Sequence, residues 1–294
     1  MRSPRAGWSW LDPGWPRPWR PDTVVFDVDG VLIDTRRSFR RAVQDVVVAV
    51  QRLAGRPHPW RPAAADIARL KAAGGFNSDI DCSIHLARLA LETPRGSPDV
   101  ARLAAPSRSQ AAVGGVDAGL VERLFAERYW GAEAFAHHFG EPARHFAGPG
   151  LRTAERLLAP PHLLPALRGR GVEAFALITG RTRLETTAAL ELLRWPRDGF
   201  ADGAVVTGEE LLKPDPAALD RVTEACGTVR GLFVGDVRDD AELVRRYRGR
   251  PGAVDVRLVL VGPMAGARRA WAAHAGLHTV AQLPQLLDEL AQAA

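Results

Sequence analysis

Five short apolar runs constrain this chain most: Thr23–Val28, Ala174–Thr179, Ala204–Thr207, Gly231–Val234 and Val256–Val261. The first, a β-branched run, reads as a strand buried on both faces of a parallel sheet, and the others read as further strands. Helical spacing fills the intervals at Arg183–Leu193, Ala217–Cys226 and Asp239–Arg248, with another helix near Leu163–Arg168. Strands alternating with helices predict an α/β fold, a doubly wound, Rossmann-like parallel sheet whose working residues lie at the carboxyl ends of the strands.

About 120 residues separate the first strand from the others, and most of them are helical in pattern. Phe39, Val43, Val46, Val47, Val50 and Leu53 recur at helix spacing, with Asp34 or Thr35 available as N-cap. Further apolar faces lie at Ile67/Leu70, Ile80/Ile84/Leu91 and Leu120/Leu124/Phe125, while Thr93–Asp117 is rich in Pro, Gly, Ser and Ala and reads as a mobile loop. The expected organisation is an α/β core from 23–35 and 150–294 with an α-helical domain inserted over 36–149. Residues 1–22 hold Trp8, Trp10, Trp15 and Trp19 among five prolines without a period, and read as an irregular arm.

Composition narrows the class. With 46% hydrophobic and 25% charged residues the chain is globular. Its charge of +5 is scattered among acids, not gathered into a nucleic-acid-binding arm. The longest aliphatic run, Val46–Val50, falls far short of the ~18 residues of a membrane span, and Met1–Arg20 has no apolar leader core. Cys82 and Cys226 make neither a disulfide framework nor a usual zinc site. The expectation is a soluble, cytoplasmic protein with no membrane and no nucleic-acid partner.

The chemistry begins where the first strand ends, at Asp27-Val-Asp29-Gly30. Two aspartates two apart put both carboxylates on one strand face, and Gly30 lets the chain turn away. Clustered carboxylates repel, and a divalent cation compensates them. Three more motifs close predicted strands or open helices: Leu177-Ile-Thr-Gly-Arg181, Lys213-Pro214-Asp215-Pro216 and Phe233-Val-Gly-Asp-Val-Arg-Asp-Asp240. Thr179 as a helix cap, Lys213 as a surface lysine and Asp239 as a plain cap are the bland alternatives. For Lys213 composition weighs against it: Lys71 and Lys213 are the only lysines in an arginine-rich chain, which suggests that a compact ammonium is needed there.

In this order the motifs resemble the haloacid dehalogenase-like hydrolases, in the branch whose helical cap is inserted after the first strand, with phosphoglycolate phosphatase as the nearest named type. The resemblance runs from Thr23 to the C-terminal helix. It implies Asp27 as nucleophile and Asp29 as general acid/base, with Thr179, Gly180 and Lys213 holding the phosphate. It implies Mg²⁺ held by Asp27, Asp29 through its backbone carbonyl, Asp236 and, less directly, Asp240. The cap loop Gly74-Gly75-Phe76-Asn77-Ser78-Asp79 is similar to one that contacts the leaving group in this family, which makes Asn77 and Asp79 substrate candidates. Equally, Gly74-Gly75 can end a helix and Ser78 or Asp79 cap the next. His137, His138 and His145 read as helix-surface residues, and Cys226 as packing.

The expected function is therefore a Mg²⁺-dependent phosphatase acting on a small phosphate ester through an aspartyl phosphate. Alternatives are a sugar-phosphate mutase using the same intermediate, or a non-catalytic binding module, against which the intact catalytic set argues. Dehalogenase chemistry is disfavoured, because relatives of that kind lack the second aspartate and need no metal.

Overall fold

The protein is described from a computed structural model, which covers residues 8–73, 76, 78–93, 98–99, 115–262, 271 and 273–292. Thr35–Glu155 forms one compact unit, and the chain on either side of it forms the other.

The discontinuous unit carries the strands β1 (Trp8–Leu11), β2 (Thr23–Phe26), β3 (Ile33–Asp34), β4 (Arg156–Leu157), β5 (Ala174–Ile178), β6 (Val205–Val206), β7 (Arg230–Gly235), β8 (Asp255–Val261) and β9 (Ala275–Leu277). The main sheet runs β1-β9-β8-β7-β2-β5-β6, and every pair in it is parallel except β1 with β9. This is the doubly wound α/β sheet that the apolar runs predict. Helices Leu163–Arg168, Arg183–Leu193, Ala217–Ala225, Arg238–Arg248 and Leu283–Leu290 connect or follow the strands. β2 lies inside the sheet between β7 and β5, with all four residues buried, as a strand covered on both faces must be. Its register aligns Phe26 with Leu177 of β5 and Val234 of β7. The three strands therefore release the chain at one level, just before Asp27, Thr179 and Asp236.

The unit Thr35–Glu155 contains helices Phe39–Leu53, Ala64–Ala73, Asp79–Glu92, Ala118–Trp130 and Ala132–Phe139. Phe39 stacks on Tyr129 at 4.6 Å between ring centroids and on Phe125 at 5.7 Å. Buried Ala42, Val43, Val46, Val47 and Val50 continue that face. Asp45 receives Arg128 at 2.6 Å and Arg61 at 2.7 Å. Burial would raise its carboxyl, but these two guanidiniums hold it below its ordinary value. Among the described residues no helix is long and apolar enough to cross a membrane.

Several expectations are corrected. The first long helix begins at Phe39 with Ser38 in the cap position, not at Asp34 or Thr35, because Ile33–Asp34 is drawn into a two-residue pairing with Arg156–Leu157. Leu53 is 54% exposed at that helix's end. His145 lies in a loop beyond the helix that holds His137 and His138, and its amide donates to Glu127. Most of Thr93–Asp117 lies outside the described residues.

The N-terminal arm is not wholly irregular, since Trp8–Leu11 pairs antiparallel with β9 at the sheet edge. A short edge strand has one neighbour to satisfy, so it needs little sequence signal. Beyond it Trp15 and Trp19 are buried, edge to face at 5.2 Å, and Arg257 lies over both rings. The Trp19 indole donates to Asp255 at 3.1 Å. His274 packs against Trp15 and accepts the Leu258 amide at 3.1 Å through Nδ1.

Burial, with Arg248 and Arg257 alongside, pushes His274 down from 6.5 to about 4. The unfolded chain then takes up this proton first as pH falls, so the His274 contribution is complete above about 6.5 and is lost between there and about 4. The loss amounts to about 3 kcal/mol at most. Urea midpoints measured across that window should fall less steeply for His274→Asn, which keeps a neutral acceptor for Leu258, than for the unmodified protein; parallel slopes would contradict it.

Candidate active site

Three loops that follow the carboxyl ends of β2, β6 and β7 deliver a buried charge cluster. Asp27 follows β2 directly, its amide donating to Val234 of β7 at 2.9 Å. Its Oδ1 accepts the Val28 amide at 2.7 Å, and its Oδ2 pairs with Lys213 Nζ at 2.9 Å. Lys213 also meets Asp240 Oδ1 at 2.7 Å. Asp240 Oδ2 accepts the amides of Asp236 and Val237 at 2.9 and 3.0 Å, tying the loop after β7 to the first turn of its helix. Asp27, Asp236 and Asp240 each offer a carboxylate oxygen, and these oxygens lie within 4.8 Å of one another.

Two glycines make room for this cluster. Gly30 has φ +78°, and a Cβ there would run into the Asp236 carboxylate. At Gly235 a Cβ would occupy the space of the Asp240 carboxylate.

Burial raises the Asp27 carboxyl well above its ordinary range, Lys213 opposes that, and the neighbouring aspartates add to it. Burial alone would lower Lys213, yet Asp240 and Asp27 overcome it and hold the ammonium firmly charged. Lys213 is thus not a surface lysine before a turn: its side chain is 1% exposed. The Pro214–Pro216 segment turns the chain into the helix Ala217–Ala225, with Asp215 Oδ1 accepting the Ala217 amide at 2.9 Å.

Thr179 follows β5, is buried, and accepts the Arg181 amide at 3.2 Å. It does not cap the next helix, a task that falls to Thr182 in a capping box with Glu185. Gly180 lies between Thr179 and Arg181 in the same loop.

Asp29 departs from the expected arrangement. Because β2 ends at Phe26, the two-residue alternation does not extend to the aspartates, and their carboxylates go to different partners. Asp29 pairs with Arg181, whose Nε and Nη2 reach Asp29 Oδ1 at 2.8 and 2.7 Å. Arg181 is contained in the Thr-Gly-Arg motif, but the sequence offers no sign of its partner 152 positions away. Next to it, burial pushes the Glu185 carboxyl up to about 7 against the opposing Thr182 amide and Arg181.

Of the two substrate candidates, Asp79 lies in the Thr35–Glu155 unit, in the first turn of its helix, paired with Lys71 at 2.9 Å. Ser78 caps that helix by accepting the Asp81 amide at 3.1 Å. Asn77 lies outside the described residues.

A family profile of the haloacid dehalogenase-like hydrolases matches residues 21–246. The chain belongs to that family. Among solved structures this hydrolase is similar to Phosphatase Tt82 from Thermococcus thioreducens, with 30% identity over 82% of this chain and 93% of that one at a TM-score of 0.59. Its fold is also that of a hydrolase from Pseudomonas syringae (18% identity, 92% and 99% coverage, TM-score 0.54). A predicted phosphoglycolate phosphatase from Haemophilus somnus shares it as well (14%, 90% and 97%, 0.56). A search of curated protein sequences gives no match.

Removing the ammonium alone leaves Asp27 and Asp240 facing each other without water, so Lys213→Met should cost about 3–5 kcal/mol. Adding Asp240→Asn to it should recover part of that loss. Denaturant midpoints of the two variants check this; equal midpoints for the single and double variants would show that the triad is not the unit of stability.

Proposed function

We propose that this hydrolase is a phosphatase of small phosphate monoesters, dependent on Mg²⁺ and working through an aspartyl phosphate on Asp27. The observation that carries the proposal is the meeting of Asp27, Lys213, Asp236 and Asp240, brought together by the chain segments that follow β2, β6 and β7. Three carboxylates against one ammonium leave the cluster short of positive charge. A set of carboxylate oxygens is the kind of hard-donor site that suits Mg²⁺, with Asp27 and Asp236 as the residues to hold it, Asp240 behind them and the Asp29 carbonyl as the further candidate. When bound, the ion screens the repulsion between a phosphate dianion and an attacking carboxylate.

The chain's own groups then divide the work. Asp27 attacks phosphorus as its bond to the leaving oxygen breaks. Asp29, free of the Lys213 pair and 30% exposed, gives its proton to the leaving oxygen. In the second step Asp29 takes a proton from the water that attacks the aspartyl phosphate, and the Asp27–phosphorus bond breaks. Thr179, the Gly180 amide and Lys213 hold the phosphoryl oxygens while charge redistributes. To the Thr35–Glu155 unit we assign the family's cap role and the choice of leaving group, with Asn77 and Asp79 as the residues that test it.

Purified protein should hydrolyse p-nitrophenyl phosphate or acetyl phosphate with Mg²⁺ and lose turnover in EDTA; activity persisting without metal would refute the assigned site. Asp27→Asn, which removes the nucleophile's charge at constant volume, should drop turnover to background with the circular dichroism spectrum unchanged. A variant keeping a tenth of the activity would place the nucleophile elsewhere. On a panel of phosphate esters compact metabolite-sized leaving groups should be preferred, and Asn77→Ala or Asp79→Ala should change kcat/KM for the best substrate more than for p-nitrophenyl phosphate.

A further inference from the structure

Arg181 is the largest fully buried charged side chain among the described residues and has no assigned task in the reaction above. Its guanidinium is 0% exposed, whereas the Asp29 side chain it grips is 30% exposed. A shielded guanidinium is not placed to receive a substrate phosphate, so whatever it does passes through Asp29. Both donors that reach Asp29 converge on one oxygen: Nε and Nη2 lie 2.8 and 2.7 Å from Oδ1. Oδ1 is thereby held as an acceptor, and Oδ2 is the atom left to carry a proton.

The guanidinium is itself held. The Arg181 carbonyl accepts the Gly208 amide at 2.8 Å, its amide donates to Thr179 Oγ1 at 3.2 Å, and Nη1 reaches the Glu185 carbonyl at 3.4 Å. The same residue thus ties the phosphate-side Thr179 to the proton-carrying Asp29.

We propose that Arg181 is a positioning residue that fixes the Asp29 carboxylate by Oδ1 and so aims Oδ2 at the leaving oxygen. The proposal rests on the phosphatase reading and deepens it. In the first step the proton on Asp29 Oδ2 passes to the leaving oxygen as the phosphorus–oxygen bond breaks and the Asp27–phosphorus bond forms. In the second, Oδ2 recovers a proton from water as the water oxygen bonds to phosphorus and Asp27 departs.

A misaimed acid hurts poor leaving groups far more than good ones, because p-nitrophenolate departs without a proton. The test is kcat/KM, which reports the phosphorylation step, for an alkyl phosphate and for p-nitrophenyl phosphate. Arg181→Gln removes the fork, and Arg181→Lys keeps the buried charge as a point charge without the planar fork, in case the first variant does not fold. With the alkyl ester kcat/KM should fall about 100-fold for Arg181→Gln and about 10-fold for Arg181→Lys, but less than about 3-fold with p-nitrophenyl phosphate. In an Asp29→Ala background Arg181→Lys should change nothing further for the alkyl ester. Equal losses on both substrates in a folded variant, or the full loss persisting without Asp29, would overturn the proposal and leave Arg181 a packing residue. If the unmodified protein with Mg²⁺ hydrolyses neither ester, the phosphatase reading itself fails, and the role of Arg181 fails with it.

Discussion

Burying Asp27 at the end of β2, an inner strand of the sheet, is the constraint on which the rest of the site depends. A carboxylate taken out of water costs several kcal/mol, and the low dielectric that imposes the cost also strengthens whatever charge is brought to meet it. Lys213 meets it, but its ammonium must also be satisfied, which brings in Asp240. Asp240 reaches inward because Gly235 has no side chain, and it is anchored by the Asp236 and Val237 amides. Each group is tolerated in the interior because of the next, so the loops after β2, β6 and β7 are fixed by one electrostatic requirement.

Lysine and arginine serve this requirement differently. Lys213 has three donors on a point charge and can divide them between two carboxylates approaching from separate elements. Arg181 converges two donors of its planar fork on a single oxygen of a single carboxylate. In a chain with almost no other lysine, the persistence of one here follows from the geometry it must satisfy.

What the sequence discloses depends on the range over which each interaction acts. The strands β2, β5, β7 and β8 are legible because short apolar runs followed within a few residues by Gly or Asp satisfy local and global preference together. β1 and β9 are not: Ala275–Leu277 has little strand propensity and Trp8–Leu11 is flanked by prolines, so their neighbours at the sheet edge decide them. The site motifs are local and could be read, and the shared register of β2, β5 and β7 explains why they converge. The Asp29–Arg181 pair spans 152 positions and exists only because β2 and β5 are adjacent.

Asp27 and Asp29 show how a two-residue spacing can lead to two different surroundings. Had β2 continued through Asp29, pleating would have placed both carboxylates on one face to share one environment. Instead the strand ends at Phe26, the chain turns through Gly30, whose amide donates to the Ile33 carbonyl at 2.8 Å, and the two side chains take different partners. One enters the interior against an ammonium; the other stays partly open against a guanidinium. The early end of the strand is what gives two like groups, two positions apart, different counter-charges.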